Sequence, residues 1–395
     1  MKISGQIILK PGKEQAAKRF HPWIFSGAVQ SASDNLADGG WVRVADHKDR
    51  TLGFGHWQKG SITVRMLSFG ESAPDENFWT KKIHQAVDLR KAAGLPSATT
   101  NAFRLVHGEA DGLPGLIVDF YNGIVVMQAH SAGMHSDRYN ISQALHNALQ
   151  KQLTAIYYKS KSTLPEKFKA EQPDGYLSGM GIVPHIVYEH GVKFFVDWES
   201  GQKTGFFLDQ RENRKLVADF STGKNVLNTF CYTGGFSVYA LQAGASLVHS
   251  VDASEKAIDI TRKNIELNGF DAAKHACFAL DTFEFLKGKE NQYDLIVLDP
   301  PAFAKHRDAR HQAVKGYQRL NVEAIKAVKS GGIIFTFSCS QVVDKQLFYD
   351  TVTSAAIQAG REVKVLHRLS QPADHPVSMY HPEGEYLKGL VLYVV

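Results

Sequence analysis

A chain of 395 residues is too long for one ordinary domain and predicts two or three. Its 44% hydrophobic and 22% charged residues describe a globular protein with a sizeable core, and no apolar run nears the ~18 residues of a membrane span. A net charge of +5 and a pI near 8.8 permit a polyanionic partner without demanding one. Three cysteines without paired or zinc-ligand spacing argue against a disulfide framework and a metal site, and point to a reducing cytoplasm. "MKISGQIILKPGKEQ" has neither a long apolar core nor a small-residue cleavage site, so no secretory leader is expected.

Residues 1–75 read as short strands separated by Gly turns ("QIILK", "WVRVAD", "TLGFGHW", "SITVRML"), the pattern of a small β-barrel. "ENFWTKKIHQAVDLRKAAG" then places Phe78, Ile83, Val87 and Leu89 on one face of a helix ending at Gly94. "GLIVDFYNGIVVMQAH" is a hairpin signal, with Asn122-Gly123 supplying a tight turn. A helix over 135–151 and the strand "AIYYKS" follow. The polar, Pro-containing stretch 162–184 reads as a long loop, and the hairpin "IVYEHGVKFFVD" closes a central α+β domain over 76–197. From 198 to 395 strands alternate with helices, from "KNVLNTF" to "GGIIFTFSCS", before two final strands. That rhythm implies right-handed βαβ crossovers and a doubly wound, mostly parallel sheet of the Rossmann-like type, with ligands at the carboxyl ends of its strands.

The first βα junction of this sheet, "NTFCYTGGFS" (228–237), carries Gly234 and Gly235, which let backbone approach a ligand at a helix N-terminus. Acids follow at successive strand ends. Asp252 lies 24 residues past Asn228, where a carboxylate would hold a ribose diol. Asp281 is placed to accept from an adenine amino group, and Asp299 ends the fourth strand. Any one of these is more often a helix cap, but three in register point to an adenosine-containing cofactor. The register alone does not choose between a dinucleotide and S-adenosylmethionine.

"LDPPAFAK" (298–305) chooses. Two prolines after a strand-end acid remove two backbone donors and fix φ twice, leaving a stiff loop of preset acceptors. The loop 228–237, Asp252, Asp281, Asp299-Pro300-Pro301 and the "SCS" around Cys339 resemble class I S-adenosylmethionine-dependent methyltransferases. Four more stretches extend the likeness along the chain: "HPWIFSGA", "GEADGLPGLIVD", "KTGFFLDQRENR" and "DHPVSMYHPEGEYLKGL". With them the sequence resembles the bacterial 23S rRNA large subunit methyltransferase I family.

The resemblance implies an N-terminal PUA domain for RNA binding, a central α+β domain, and a C-terminal methyltransferase domain. It implies 5-methylcytosine formation in 23S rRNA or in a large-subunit assembly intermediate, with no membrane partner and a homodimer as the expected assembly. S-adenosylmethionine would be held by Asn228, Phe230, Tyr232, Thr233, Gly234, Asp252, Asp281, Asp299 and Pro300, together with Gln210 and Arg211 of "KTGFFLDQRENR". Cys339 is the expected nucleophile, adding to cytosine carbon 6 so that carbon 5 can take the methyl group, with Asp299 on the N3/N4 edge. Cys277 reads as core, and Cys231 as packing against the cofactor. Ala302 stands where many RNA 5-methylcytosine enzymes carry a second cysteine, which implies a one-cysteine mechanism.

Between 305 and 319, Lys305, Arg307, Arg310, Lys315 and Arg319 face only Asp308, a local charge of +4. Beside the Asp299 loop this run reads as an RNA phosphate grip, with Phe303 and Tyr317 as stacking platforms. Two rival functions are kept. A guanine-N7 rRNA methyltransferase would need no thiol, and a nicotinamide-dependent oxidoreductase would want a G-x-G-x-x-G in place of D-P-P.

Overall fold

Short alternating strands need a partner face to bury, and the first six wrap around one. A computed structural model describes every residue except 170–172 and Lys305; for Lys169 and Arg307 it describes the backbone alone. The chain divides into two units built from separated stretches. One comprises Met1–Val187, Val196–Leu208 and Ala373–Gly384; the other comprises Tyr188–Phe195, Asp209–Pro372 and Glu385–Val395.

The first unit holds two sheets. Strands β1 (Ile3–Leu9), β2 (Trp23–Phe25), β3 (Val29–Ala32), β4 (Trp41–Ala45), β5 (Thr51–Trp57) and β6 (Ile62–Phe69) pair in the order β2-β6-β5-β4-β1-β3. Ile24 of edge strand β2 shares one core cluster with Ile7, Leu9, Val42, Val44, Val64 and Met66, so the sheet curls over its own apolar face. Strands β7 (Ala102–His107), β8 (Leu116–Tyr121), β9 (Ile124–Ala129), β10 (Ala155–Tyr158) and β11 (Gly175–Ser178) form the second sheet in the order β11-β10-β9-β8-β7. The turn between β8 and β9 is Asn122-Gly123, both at positive φ (46° and 94°), as a tight hairpin requires.

Two details depart from the sequence reading. Stretch 162–184 is not one long loop, for it contains the short helix Glu166–Lys169 and the edge strand β11. On the helix Phe78–Ala92, Leu89 is exposed, while Arg90, three residues past Val87, takes the buried face. Arg90 is buried there as an ion pair. Its Nη1 and Nη2 donate to Asp111 Oδ1 and Oδ2 at 2.6 and 2.8 Å, and Nη2 also reaches the Asp374 carbonyl at 3.0 Å. Asp374 Oδ2 accepts from the Arg104 N–H at 2.9 Å, so segment 373–384 is bound into this unit.

The hairpin of β12 (His185–Glu189) and β13 (Val192–Val196) forms a separate two-stranded sheet. The second unit is built on seven strands: β14 (Asn225–Thr229), β15 (Leu247–Asp252), β16 (His275–Ala279), β17 (Tyr293–Leu298), β18 (Val328–Ser338), β19 (Val363–Leu369) and β20 (Lys388–Val394). They run in the order β16-β15-β14-β17-β18-β20-β19. The first five are mutually parallel, and β20 is antiparallel to both neighbours. β14 and β17 are almost wholly buried, as central parallel strands must be. The fold class is therefore α/β, a Rossmann-like, mostly parallel sheet preceded by a small curled β domain and an α+β layer. Among the described residues, no helix is long and apolar enough to cross a membrane.

Candidate active site

Because β16, β15, β14, β17 and β18 are parallel neighbours, the residues that follow them share one edge of the sheet. At β14 the backbone is forced into an unusual path. Phe230, Tyr232 and Gly234 all have positive φ (53°, 47° and 75°), a conformation that costs of order 1–3 kcal/mol for each non-Gly residue. Neighbouring elements hold the loop in place. The Cys231 N–H donates to the Val251 carbonyl at 3.0 Å, and the Tyr232 N–H to Asp252 Oδ2 at 2.9 Å. Asp252 Oδ1 accepts from the Ser254 N–H at 2.9 Å. Thr261 Oγ1 and Asn264 Nδ2, on the helix Glu255–Leu267, donate to the carbonyls of Tyr232 and Thr233 at 3.0 and 2.8 Å. A Cβ on Gly234 would lie 2.6 Å from Thr261 Cγ2, so glycine is required for space as well as for φ.

At β17 the Asp299 carboxylate is half-buried, and its Oδ1 accepts from Gln210 Nε2 at 3.0 Å. Gln210 is fixed in turn by Asn213, whose Nδ2 donates to Gln210 Oε1 at 2.6 Å. Pro300 is buried and Pro301 exposed. At β18 the half-buried Cys339 follows Ser338, and the register pairs Leu298 with Thr336, so Asp299 and Cys339 leave adjacent strand ends. The two loops are tied together by Ser340 Oγ, which donates to the Ala304 carbonyl at 2.9 Å.

A profile for S-adenosylmethionine-dependent methyltransferases matches residues 103–385, and one for a PUA-like domain matches residues 7–69. Curated relatives bear the name ribosomal RNA large subunit methyltransferase I. Those from Alteromonas mediterranea and Shewanella amazonensis are 39% and 40% identical, covering 98% of this chain and 98% and 99% of theirs. That from Escherichia coli is 37% identical over all of both chains. The chain belongs to the ribosomal RNA large subunit methyltransferase I family. Among solved structures, a methyltransferase complexed with SAH superposes with a TM-score of 0.84 at 23% identity, covering 99% of this chain and 100% of its own. A methyltransferase from Streptococcus mutans gives 0.83 at the same identity and coverage. These two share the fold.

The edge of this family member fits S-adenosylmethionine. The helix Gly235–Gln242 has no side-chain cap at its start, so its first N–H groups are available to an anionic group. Asp252, steadied by two backbone donors, retains lone pairs for a ribose diol. Two predicted contacts have other work in the structure. Asn228 is fully buried and donates to Ser237 Oγ at 2.9 Å, while its Oδ1 has no partner among the described residues. Asp281 caps the helix Thr282–Leu286, accepting from the N–H groups of Phe283 and Glu284. Phe230 packs at the core margin, Thr233 is buried, and Arg211 is buried with its Nε 3.0 Å from Glu212.

The cysteines separate clearly. Cys231 is buried beside Thr261, and burial pushes its thiol far up. Cys277 is half-buried on edge strand β16 rather than enclosed in the core, and burial raises it to about 11. Cys339 has a buried cation nearby. Lys388 of β20 sits opposite Ser338 in the antiparallel register, with Nζ donating to the carbonyls of Ser340 and Tyr386 at 2.6 and 2.9 Å. Burial pulls Lys388 down to about 8, against the opposing pull of Cys339 and Asp344. Tyr317 is enclosed in the same region, and burial raises it to about 12, with Cys339 and Asp299 adding to the rise. Sequence reasoning missed Lys388, although it lies in the "EYLKGL" that carried part of the resemblance.

The basic run is less uniform than its charge suggests. Lys305 and the Arg307 side chain lie outside the described residues. On the helix Arg310–Ala327, Lys315 and Arg319 are exposed one turn apart, with Arg319 stacked 4.3 Å from the Phe283 ring. Arg310 lies around the other side, 3.2 Å from Asp344. Tyr317 cannot serve as a stacking platform, because it is fully buried against Phe303 at 4.7 Å between ring centroids.

Proposed function

We propose that the protein methylates carbon 5 of a cytosine in 23S rRNA, in the cytoplasm, with S-adenosylmethionine as methyl donor. Family membership carries the class of reaction: S-adenosylmethionine-dependent methylation of large-subunit ribosomal RNA. The observation that favours carbon 5 is the pairing of Cys339 with Asp299 at adjacent strand ends beside buried Lys388. A base-nitrogen methyltransferase has no use for a thiol there.

In this reading Cys339 reacts as the thiolate. Its Sγ bonds to carbon 6 of the cytosine, and the electron pair of the 5,6 double bond becomes available at carbon 5. Bound S-adenosylmethionine supplies the electrophilic methyl group. After transfer, carbon 5 loses its proton and the Sγ–carbon 6 bond breaks, restoring the aromatic base and the thiolate. Asp299, oriented by Gln210 through Oδ1, is proposed to meet the N3/N4 edge of the base. The positive charge of Lys388 favours the thiolate before attack and at release. Phe230, Tyr232, Thr233, Gly234, Asp252, Asp281, Pro300, Asn228 and Arg211 would line or support the cofactor side.

Carbon 6 is out of reach inside a stacked duplex, so the target must be unpaired or flipped. Exposed Lys315 and Arg319 are proposed to grip phosphates, with Arg310, Lys305 and Arg307 as further members of that surface. The curled N-terminal sheet is proposed as a second RNA platform, with domain boundaries near residues 75 and 197 and a homodimer as the assembly. Mass spectrometry of nucleosides from 23S rRNA treated with protein and S-adenosylmethionine tests the reading. 5-Methylcytidine is expected; methylguanosine would overturn it.

A further inference from the structure

We infer that His21, His381 and Glu383 form a binding site for a divalent metal ion of the zinc class on the unit that contains the N-terminal sheet. One ligand atom from each lies within 4.8 Å of the others. His21 Nε2 is 3.9 Å from Glu383 Oε1, and His381 Nε2 is 3.9 Å from Glu383 Oε2. Zinc bonds of ~2.0–2.2 Å bring tetrahedral donors to roughly 3.3–3.5 Å from one another. Closing the two His–Glu383 distances needs a shift of about half an ångström, which the Glu383 side chain, 57% exposed, can make, and the remaining gap, at most about 1.5 Å, falls to the two histidine side chains.

A second observation points to a ligand. His381 is only 4% exposed, yet neither of its ring nitrogens has a hydrogen-bond partner among the described residues. Burying an imidazole with both nitrogens unpaired is costly, and native structures rarely leave it so. Ring packing does not relieve this. His381 lies 4.4 Å from the Trp23 ring and 5.5 Å from His21, contacts that fix its plane while leaving both nitrogens unsatisfied. A metal ion at one nitrogen supplies the missing partner.

The surroundings are built to hold the two rings still. His21 and His381 each precede a proline, which confines their backbones to extended conformations. Trp23 is pinned through Nε1, which donates to Glu109 Oε1 at 3.0 Å. His21 Nδ1 accepts from the Trp23 N–H at 3.1 Å and lies 3.3 Å from the Trp23 carbonyl, the second of which becomes its partner in the other tautomer. With Nε2 on a metal, Nδ1 would carry the proton, exchanging the bond from the Trp23 N–H for donation to the Trp23 carbonyl, the usual outer-shell partner of a metal-bound histidine. Two imidazoles and one carboxylate suit zinc, cobalt or nickel, whereas calcium and magnesium prefer all-oxygen sites. Three protein ligands leave a coordination position open beside the cleft lined by Gln15, Ala16, Arg19, His21, Met379 and Tyr380. Cysteine spacing could not reveal this site, because its ligands come from opposite ends of the chain.

The test uses tag-free, full-length protein stripped with chelator and dialysed against Zn2+ or Co2+. One equivalent of Zn2+ by elemental analysis is expected, with a visible Co2+ spectrum that Zn2+ displaces. His381→Ala and Glu383→Gln should each weaken binding at least 10-fold, while His146→Ala, at an exposed histidine elsewhere in the unit, should not. Zn2+ should raise the thermal midpoint of the wild type and of His146→Ala only. If His381→Ala does not fold, Glu383→Gln on the exposed side carries the comparison. Absence of a stoichiometric ion at 100-micromolar-scale Zn2+, or equal affinity in the Glu383 variant, would overturn the assignment.

Discussion

Replacing Lys388 with Met keeps the stem of the side chain and removes its charge. Two effects on stability oppose each other. The Ser340 and Tyr386 carbonyls each lose a charged donor, at about 1–3 kcal/mol apiece. Against this, burial has lowered Lys388 from 10.5 to about 8, which corresponds to about 3 kcal/mol spent on keeping the ammonium charged. Lys388→Met should therefore lie between about 1 kcal/mol more stable and about 3 kcal/mol less stable than the wild type. Catalysis has no such compensation. Nζ of Lys388 donates to the carbonyl of the residue next to Cys339, and a cation at an assumed ~6 Å from a thiolate is worth about 3 kcal/mol at an effective dielectric of ~20. Loss of that interaction predicts a fall in kcat of about 100-fold with little change in KM for RNA. The pH dependence supplies the discriminating readout. Lys388 is largely charged at pH 7 and neutral above about 8, so the wild-type advantage should shrink as pH rises toward 9. For stability, the folded chain binds fewer protons than the unfolded one between pH 8 and 10.5. The contribution of this lysine thus rises with pH across that window, and its burial cost stands in full below pH 8. The assay is transfer of labelled methyl from S-adenosylmethionine to RNA at saturating substrates. An unchanged kcat, or a deficit that does not narrow between pH 7 and 9, would refute the role given to Lys388.

Cys339→Ala should abolish turnover while leaving S-adenosylmethionine binding within twofold by calorimetry; wild-type turnover in this variant would remove covalent catalysis from the mechanism. Gly234→Ala meets both a positive φ and a 2.6 Å approach to Thr261, and should cost about 1–3 kcal/mol of stability and at least 10-fold in cofactor affinity. Arg90→Leu strands buried Asp111 and should destabilise the protein by about 3–5 kcal/mol in denaturant melts; a loss below 1 kcal/mol would show the pair to be dispensable. Lys315→Gln with Arg319→Gln should weaken RNA binding and lower its salt slope by about 2, leaving cofactor affinity unchanged.

The strands and helices of the second unit were legible because their apolar runs and junction residues agree at every level, from "KNVLNTF" to "FTFSCS". Asn122-Gly123 was legible for a similar reason, since only a positive-φ turn suits that pair. What escaped the sequence depends on long-range register. Gln210 meets Asp299 across 89 positions, and Lys388 meets the Cys339 loop only because β20 runs antiparallel beside β18. Charge counting between 305 and 319 could not show how the cations are distributed, as helical rotation sends Arg310 toward Asp344 and Arg319 onto Phe283. Tyr317 looked like an exposed aromatic among cations, but its helical position turns it inward onto Phe303 and Phe348. The inclusion of 373–384 in the first unit was equally hidden, because Asp374 is fastened by the backbone of Arg104 and by the Arg90 side chain.

The chemical edge of the sheet is held from several sides at once, and this bears on how an RNA base must meet it. Neighbouring carbonyls and acids clamp the cofactor loop in a strained conformation, two prolines stiffen the Asp299 loop, and Ser340 ties that loop to the end of β18. Asn213 fixes Gln210, which fixes Asp299. A nucleophile and an acid positioned this way favour a base that arrives in one orientation, since the entropy of alignment has already been spent in folding. Deformation then falls to the RNA, which must present an unstacked cytosine. Targets already single-stranded or mispaired should therefore react faster than the same sequence in a perfect duplex. The ratio should persist in Lys315→Gln/Arg319→Gln, because phosphate grip changes affinity while the fixed edge sets the geometry of attack.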